Sequence, residues 1–173
     1  MRDAAKFVSE KLKGRPLVVA EVGVQRAFNA TAMLEGLNIE RLYLIDPYKP
    51  YVDGTFVFSR KVQENVYSIM FRNVEKYLDK VTLISRESMF ASTLFKDGFF
   101  DFVYLDGWHQ YPAVKKDIEV WWPKVKVGGV LGGHDIGHVE FPGVARAVEQ
   151  FSKKINQPFK AVGDSDWYIE KEK

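Results

Sequence analysis

The sequence predicts a single α/β domain, residues 1–173, with a doubly wound, Rossmann-like sheet that is mostly parallel and ends in a C-terminal antiparallel hairpin. Three observations predict it. Short apolar runs alternate with segments of helical period, the pattern of βαβ units with right-handed crossovers. Each run has an acidic residue at or near its end: Glu21, Asp46, Glu87, Asp106 and Asp135 in turn. The chain then closes on two short runs, 159–162 and 167–169, around the turn Gly163-Asp164-Ser165, which reads as a hairpin.

Taken in order, residues 3–13 place Ala4, Phe7, Val8 and Leu12 on one face, and Gly14 closes this leading helix (1–14). The runs 17–22, 41–45, 80–84, 100–105 and 125–131 are continuous and rich in Val, Ile and Leu. Strands buried on both faces of a parallel sheet need that continuity. Between them, 60–78 places Val62, Val66, Ile69, Met70, Val74 and Tyr77 at spacings of three and four. Residues 111–122 do the same with Val114, Ile118, Trp121 and Trp122. Pro112 stands where a first turn tolerates a missing N–H, and Pro123 stops the helix. Residues 143–155 carry Val144, Val148, Phe151 and Ile155. No linker divides the chain. One stretch, 47–60, holds Tyr51, Phe56 and Phe58 beside two prolines and a glycine. It reads as a long loop that serves as a lid or an interface.

Composition narrows the function classes. A chain of 173 residues buries roughly 70% of its unfolded surface, enough for a core and a pocket. It has no cysteine, which excludes disulfides, thiolate–metal sites and cysteine nucleophiles and suits a reducing cytoplasm. Lys and Arg number 25 against 23 acids, a net charge of +2 without a basic block, so no nucleic-acid partner is expected. The N-terminus lacks the apolar core of a signal peptide. No run approaches the roughly 20 apolar residues of a membrane span.

In an open α/β sheet, ligands bind beyond the carboxyl ends of the strands. The five acids gather there. Each could instead cap a following helix, but their convergence favours a site. The first turn, E-V-G-V-Q (21–25), lacks the G-x-G-x-x-G of dinucleotide binding and the P-loop lysine. Gly23 still permits close backbone approach. Asp46, at the end of the second run, can accept both hydroxyls of a ribose. A nucleoside without a pyrophosphate fits best.

The segments E-V-G-V-Q (21–25), L-I-D-P-Y (44–48), L-I-S-R-E-S (83–88), F-D-F-V-Y-L-D-G-W-H-Q-Y (100–111) and V-G-G-V-L-G-G-H-D (127–135) resemble the class I S-adenosylmethionine-dependent methyltransferases. Among these the chain is similar to the small-molecule group of methyltransferase domain family 24 type. That group carries D-G-x-H-x-Y after the fourth strand and G-G-x-x-x-x-H-D after the fifth. The first motif departs from the general pattern at Gln25 and Ala27. The resemblance implies seven strands in the order 3-2-1-4-5-7-6 and S-adenosylmethionine as cofactor. It implies that Glu21, Gly23 and Val24 line the methionine moiety. Asp46 and Pro47 would meet the ribose, and Glu87, Ser88 and Met89 the adenine. Asp106 would face the reacting centre.

Asp106, His109, His134 and Asp135 form a second constellation. Carboxylates at adjacent strand ends suit Mg²⁺, held by Asp106 and Asp135 with His134 as a further candidate. Such an ion would acidify a substrate hydroxyl. His109, with an ordinary pKa near 6.5, is then the expected general base. His134 has an alternative as a backbone partner, Met89 as core filler, and Trp108 as a stacking surface. Trp121 and Trp122 read as packing. A zinc pair His134/His138 is disfavoured by the intervening glycine and nearby proline. The expected activity is methyl transfer to a small-molecule acceptor at oxygen, since L-D-G-W (105–108) is not the N/D-P-P-Y of amino-methylating relatives. A dedicated substrate domain does not fit in the remaining residues, so a homodimer is expected to complete the site wall. The alternatives are a nicotinamide enzyme and a non-catalytic nucleotide-binding protein acting through assembly.

Overall fold

The apolar runs all enter one sheet in the computed structural model, which describes residues 1–172. The strands are β1 (Leu17–Val22), β2 (Ile39–Ile45), β3 (Tyr51–Asp53), β4 (Phe56–Phe58), β5 (Val81–Ile84), β6 (Phe100–Leu105), β7 (Val125–Gly133), β8 (Phe159–Val162) and β9 (Asp166–Glu170). The helices are α1 (Asp3–Lys11), α2 (Phe28–Gly36), α3 (Arg60–Val74), α4 (Ser88–Ser92), α5 (Tyr111–Trp121) and α6 (Pro142–Ile155). Seven strands pair in the order β5-β2-β1-β6-β7-β9-β8. Counted within this sheet alone, that is the expected 3-2-1-4-5-7-6. The β1, β2, β5, β6 and β7 pairings are parallel, and β9 is antiparallel to both β7 and β8.

Each face of the sheet carries its own core. On one face Ala4, Val8, Met33 and Met70 pack on Val19, Leu42 and Phe102. On the other, Val114, Ile118, Trp121, Val144 and Val148 pack on Val103 and Leu131. All are buried, and full burial of each large side chain contributes about 1.5–3 kcal/mol. Double-sided burial explains why the runs showed no alternation. Trp121 is fully buried and Trp122 lies edge-on to Phe151 at 5.5 Å, so both indoles are packing, as their spacing predicts. Gly133 is required by close approach: a Cβ there would lie 2.6 Å from the Leu105 carbonyl oxygen and 2.8 Å from the Trp167 ring.

Two elements depart from the sequence reading. Helix α2 was not marked by an apolar stripe, because Asn29, Thr31 and Gly36 interrupt the buried Ala30, Met33 and Leu34. It begins at Ala27, which adopts a left-handed conformation (φ 61°). The stretch 47–60 is not an irregular loop. Its centre is the antiparallel hairpin β3–β4, with Tyr51 opposite Phe58 and the two rings stacked at 4.5 Å. Among the described residues no helix is long and apolar enough to cross a membrane.

Candidate active site

The parallel strands deliver their C-terminal ends to one rim of the sheet. Gly23 lies just past the end of β1 with φ +84°. A Cβ on it would sit 2.0 Å from the Asp106 carbonyl oxygen, so backbone meets backbone where the turn after β1 touches the end of β6. Asp46 shapes this turn from the end of β2. Its Oδ2 accepts from the amides of Val24 and Gln25, each at 3.0 Å, and its Oδ1 from that of Tyr48 at 2.8 Å. Burial raises the Asp46 pKa, and those three backbone donors oppose the shift. Gln25 (φ 47°), Ala27 (φ 61°) and Tyr48 (φ 48°) all hold left-handed conformations around it. Strain concentrated in this way is a mark of functional turns.

Glu21, near the end of β1, is 2% exposed. Its Oε1 accepts from Asn29 Nδ2 at 2.9 Å, while Oε2 has no partner. Burial pushes its carboxyl up to about 8, against the pull of the Asn29 bond.

The second constellation converges on His109, which follows β6. Its Nδ1 lies 2.7 Å from Asp53 Oδ2, and its backbone N–H donates to the same oxygen at 3.2 Å. Its Nε2 faces Asp135 Oδ2 at 2.9 Å and Asp106 Oδ1 at 3.5 Å, as ion-pair contacts without hydrogen-bond alignment. The ring stacks on Phe141 at 4.3 Å. Burial lowers the His109 pKa, but three carboxylates outweigh it and push it up to about 11. The expectation of an imidazole with an ordinary pKa is therefore corrected: its three carboxylate neighbours raise it. Burial raises the Asp135 pKa, yet His109 and His134 hold it well below the usual carboxylate range. Asp135 is itself left-handed, at φ 63°. His134 Nδ1 lies 3.1 Å from Asp135 Oδ1.

A cavity of about 480 Å³ joins these groups. Its wall includes Glu21, Gly23, Val24, Asp106, His109, His134 and Asp135, drawn from three strand ends. Opposite them stand Tyr51, Phe56 and Phe58 of the hairpin, and Phe141. Asp106, His134 and Asp135 offer ligand atoms within 4.8 Å of one another. His138 is outside that group and stacks on Phe141 at 4.6 Å.

The remaining expected residues lie apart from this wall. Asp46 and Pro47 are half-buried behind the first turn. Glu87 is exposed and pairs with Lys49 at 3.0 Å. Ser88 donates to Asp117 at 2.5 Å and accepts from Trp121 Nε1 at 2.8 Å. Met89 is 46% exposed and Trp108 51%, so neither is core.

Among the participants that escaped the sequence reading are Asp53, Arg2, Phe141 and Asn29, the partner of Glu21. Asp53 had a signal. In Y-V-D-G-T-F-V-F (51–58), an Asp-Gly step sits between alternating apolar residues, the short-range mark of a hairpin. Arg2 and Phe141 carried none.

The sequence matches the model of a family described as "Methyltransferase domain" over residues 20–136. No curated protein matches the chain. The fold recurs in solved structures. Cofactor-bound Rv0187 from MTB superposes with a TM-score of 0.72 at 12% identity, over 99% of this chain and 81% of that one. The O-methyltransferase from Bacillus cereus in complex with SAH gives 0.67 at 15% identity, over 99% and 82%. The O-methyltransferase NovP gives 0.66 at 18% identity, over 99% and 78%.

Proposed function

The chain belongs to this methyltransferase domain family, and on that premise we propose that it transfers a methyl group from S-adenosylmethionine to a hydroxyl of a small-molecule acceptor. The observation that carries the reading is the single cavity that joins the first turn to the Asp106–His109–Asp135 cluster. This cavity, lined by the first turn and by Asp106, His109 and Asp135, supports a reading in which the turn receives the nucleoside and the cluster handles the proton.

Glu21, Gly23 and Val24 receive the amino-acid end of the cofactor. Asp46 and Pro47 border its ribose, and Glu87, Ser88 and Met89 its adenine. An ionised carboxylate offers about four acceptor positions. Asp46 has committed three to backbone amides, which leaves one position for a ribose hydroxyl rather than the two that the sequence reading expected.

When bound, S-adenosylmethionine supplies an electrophilic methyl carbon, which bonds to the acceptor oxygen as the carbon–sulfur bond breaks and its electrons return to sulfur. The protein's task is to align that oxygen and take its proton. Of the four carboxylates in the wall, Glu21, Asp53, Asp106 and Asp135, we assign that role to Asp106. His109, 3.5 Å away and with its pKa raised by its carboxylate neighbours, stabilises in its protonated form the charge growing on the oxygen. Asp53 holds the imidazole in place from the hairpin.

The donor set of Asp106, Asp135 and His134 fits a divalent cation, and the two hard carboxylates favour magnesium. Such an ion would acidify a coordinated hydroxyl. The exposed cross-strand pair Val52 and Val57 supports a homodimer contact on the outer face of the hairpin. The absence of cysteine is consistent with work in the cytoplasm.

Calorimetric titration with S-adenosylhomocysteine tests the first step, and saturable binding is expected. No binding to the native protein refutes the reading. An acceptor screen with methyl-labelled cofactor, run with and without chelator, then separates metal-assisted from metal-free transfer.

A further inference from the structure

The cavity wall holds two guanidinium groups that this chemistry leaves unused, Arg2 and Arg26, and of these Arg2 is the one that reaches the Asp106–His134 rim. It stands at the N-terminus of α1, and that helix is firmly docked. Ala4, Ala5 and Val8 are fully buried, and Phe7 stacks on Tyr168 at 4.0 Å. The Ala4 amide donates to buried Asp166 Oδ2 at 2.9 Å, while Tyr104 holds the other oxygen at 2.9 Å. Arg2 is thereby carried over the rim of the sheet. Its guanidinium contacts His134 Nε2 and lies 4.0 Å from Asp106 Oδ2. The side chain is still 42% exposed. A guanidinium has five donors in a planar fork, and one imidazole and one distant carboxylate do not satisfy them. In the same wall, Glu21 is buried with Oε2 lacking any partner.

We propose that Arg2 binds the carboxylate of the cofactor's amino-acid end, while Glu21 takes its ammonium on the unpartnered Oε2. In doing so Glu21 gives up to solvent the proton it keeps in the free protein. The inference rests on the S-adenosylmethionine reading above. An α-amino acid presents a cation and an anion on adjacent atoms, and this wall presents the complementary pair. The fork of an arginine matches a carboxylate in two parallel bonds, which a histidine cannot offer it. Arg2 then makes the chain selective for the carboxylated form of an adenosyl sulfonium cofactor.

The test is calorimetric binding of two probes to the wild type, Arg2→Ala and Arg2→Lys. S-Adenosylhomocysteine carries the amino-acid end, and 5′-methylthioadenosine lacks it. Arg2→Ala is expected to weaken S-adenosylhomocysteine roughly tenfold or more, and to leave methylthioadenosine within about twofold. Arg2→Lys, which keeps the charge but not the fork, falls between. Thermal unfolding of both variants checks that α1 stays docked. Equal losses for both probes, no loss for either, or the loss appearing in Arg26→Ala instead overturns the role of Arg2. If the wild type binds methylthioadenosine as tightly as S-adenosylhomocysteine, Arg2 is also excluded, and the cofactor reading survives. If the wild type binds neither probe, the cofactor reading itself falls, and this inference with it.

Discussion

Replacing Glu21 by Gln is expected to stabilise the protein in a pH-dependent way. Burial raises this carboxyl from 4.5 in the free residue to about 8 in the fold. Between those values the unfolded chain has lost the proton and the folded chain keeps it. Folding therefore takes up a proton, and stability falls as pH rises. One pH unit across that window costs about 1.4 kcal/mol. By pH 7 the burial of Glu21 costs the wild type about 3 kcal/mol, and the cost levels off above pH 8. Glutamine has the same shape, keeps an acceptor for Asn29 Nδ2, and does not titrate. The variant is thus expected to gain about 3 kcal/mol on the wild type between pH 4.5 and pH 7. For a domain of this size that corresponds to roughly 10 °C in Tm. Scanning calorimetry of both proteins between pH 4.5 and pH 8.5 makes the measurement. Other groups titrate in the same range, Asp117 among them, raised by burial to about 6. They are common to both proteins and cancel in the difference. Parallel stability curves refute the reasoning, since they mean that Glu21 is ionised in the fold. The same substitution is expected to weaken S-adenosylhomocysteine, so stability and binding move in opposite directions.

Gly23→Ala is expected to cost about 3 kcal/mol or more, from left-handed strain and collision with the Asp106 carbonyl, and to abolish S-adenosylhomocysteine binding; denaturant unfolding and calorimetry read the two effects. Asp53→Asn removes a charged partner of His109 and is expected to cost about 2 kcal/mol. In the wild type, the raised pKa of His109 adds stability that is complete below pH 6.5 and lost as pH rises towards 11. In Asp53→Asn that window closes from above, and an NMR titration of the His109 ring should show the lower pKa. Asp135→Asn is expected to weaken Mn²⁺ binding, read by the ion's EPR signal, if the Asp106–His134–Asp135 group holds a cation.

The strands were legible because burial on both faces demands continuous apolar runs, and LVVAEV (17–22) and FDFVYL (100–105) satisfy that demand locally. The acids at their ends were legible for the same reason: once the strands are placed, topology brings Glu21, Asp106 and Asp135 to one rim. Helix α2 was not legible, because its buried positions alternate with polar ones and a left-handed Ala27 starts it. The role of Asp46 was only half legible. Its position announced a carboxylate at the rim, but its hold on the Val24, Gln25 and Tyr48 amides depends on how the turn folds back.

By itself the sequence determined the strands of the sheet, the appended hairpin and the rim where chemistry belongs, while the strand order was implied by the resemblance to methyltransferases. The former follow from periodicity and spacing, which act along the chain. Tertiary structure alone decided the state of the groups at that rim. A carboxylate on a hairpin 56 positions away and two more from neighbouring strand ends raise the pKa of His109. A helix pinned by Asp166 carries Arg2 over Asp106, 104 positions distant in sequence. Charge and burial act through space, over a few ångströms, and depend on neighbours that no local pattern names.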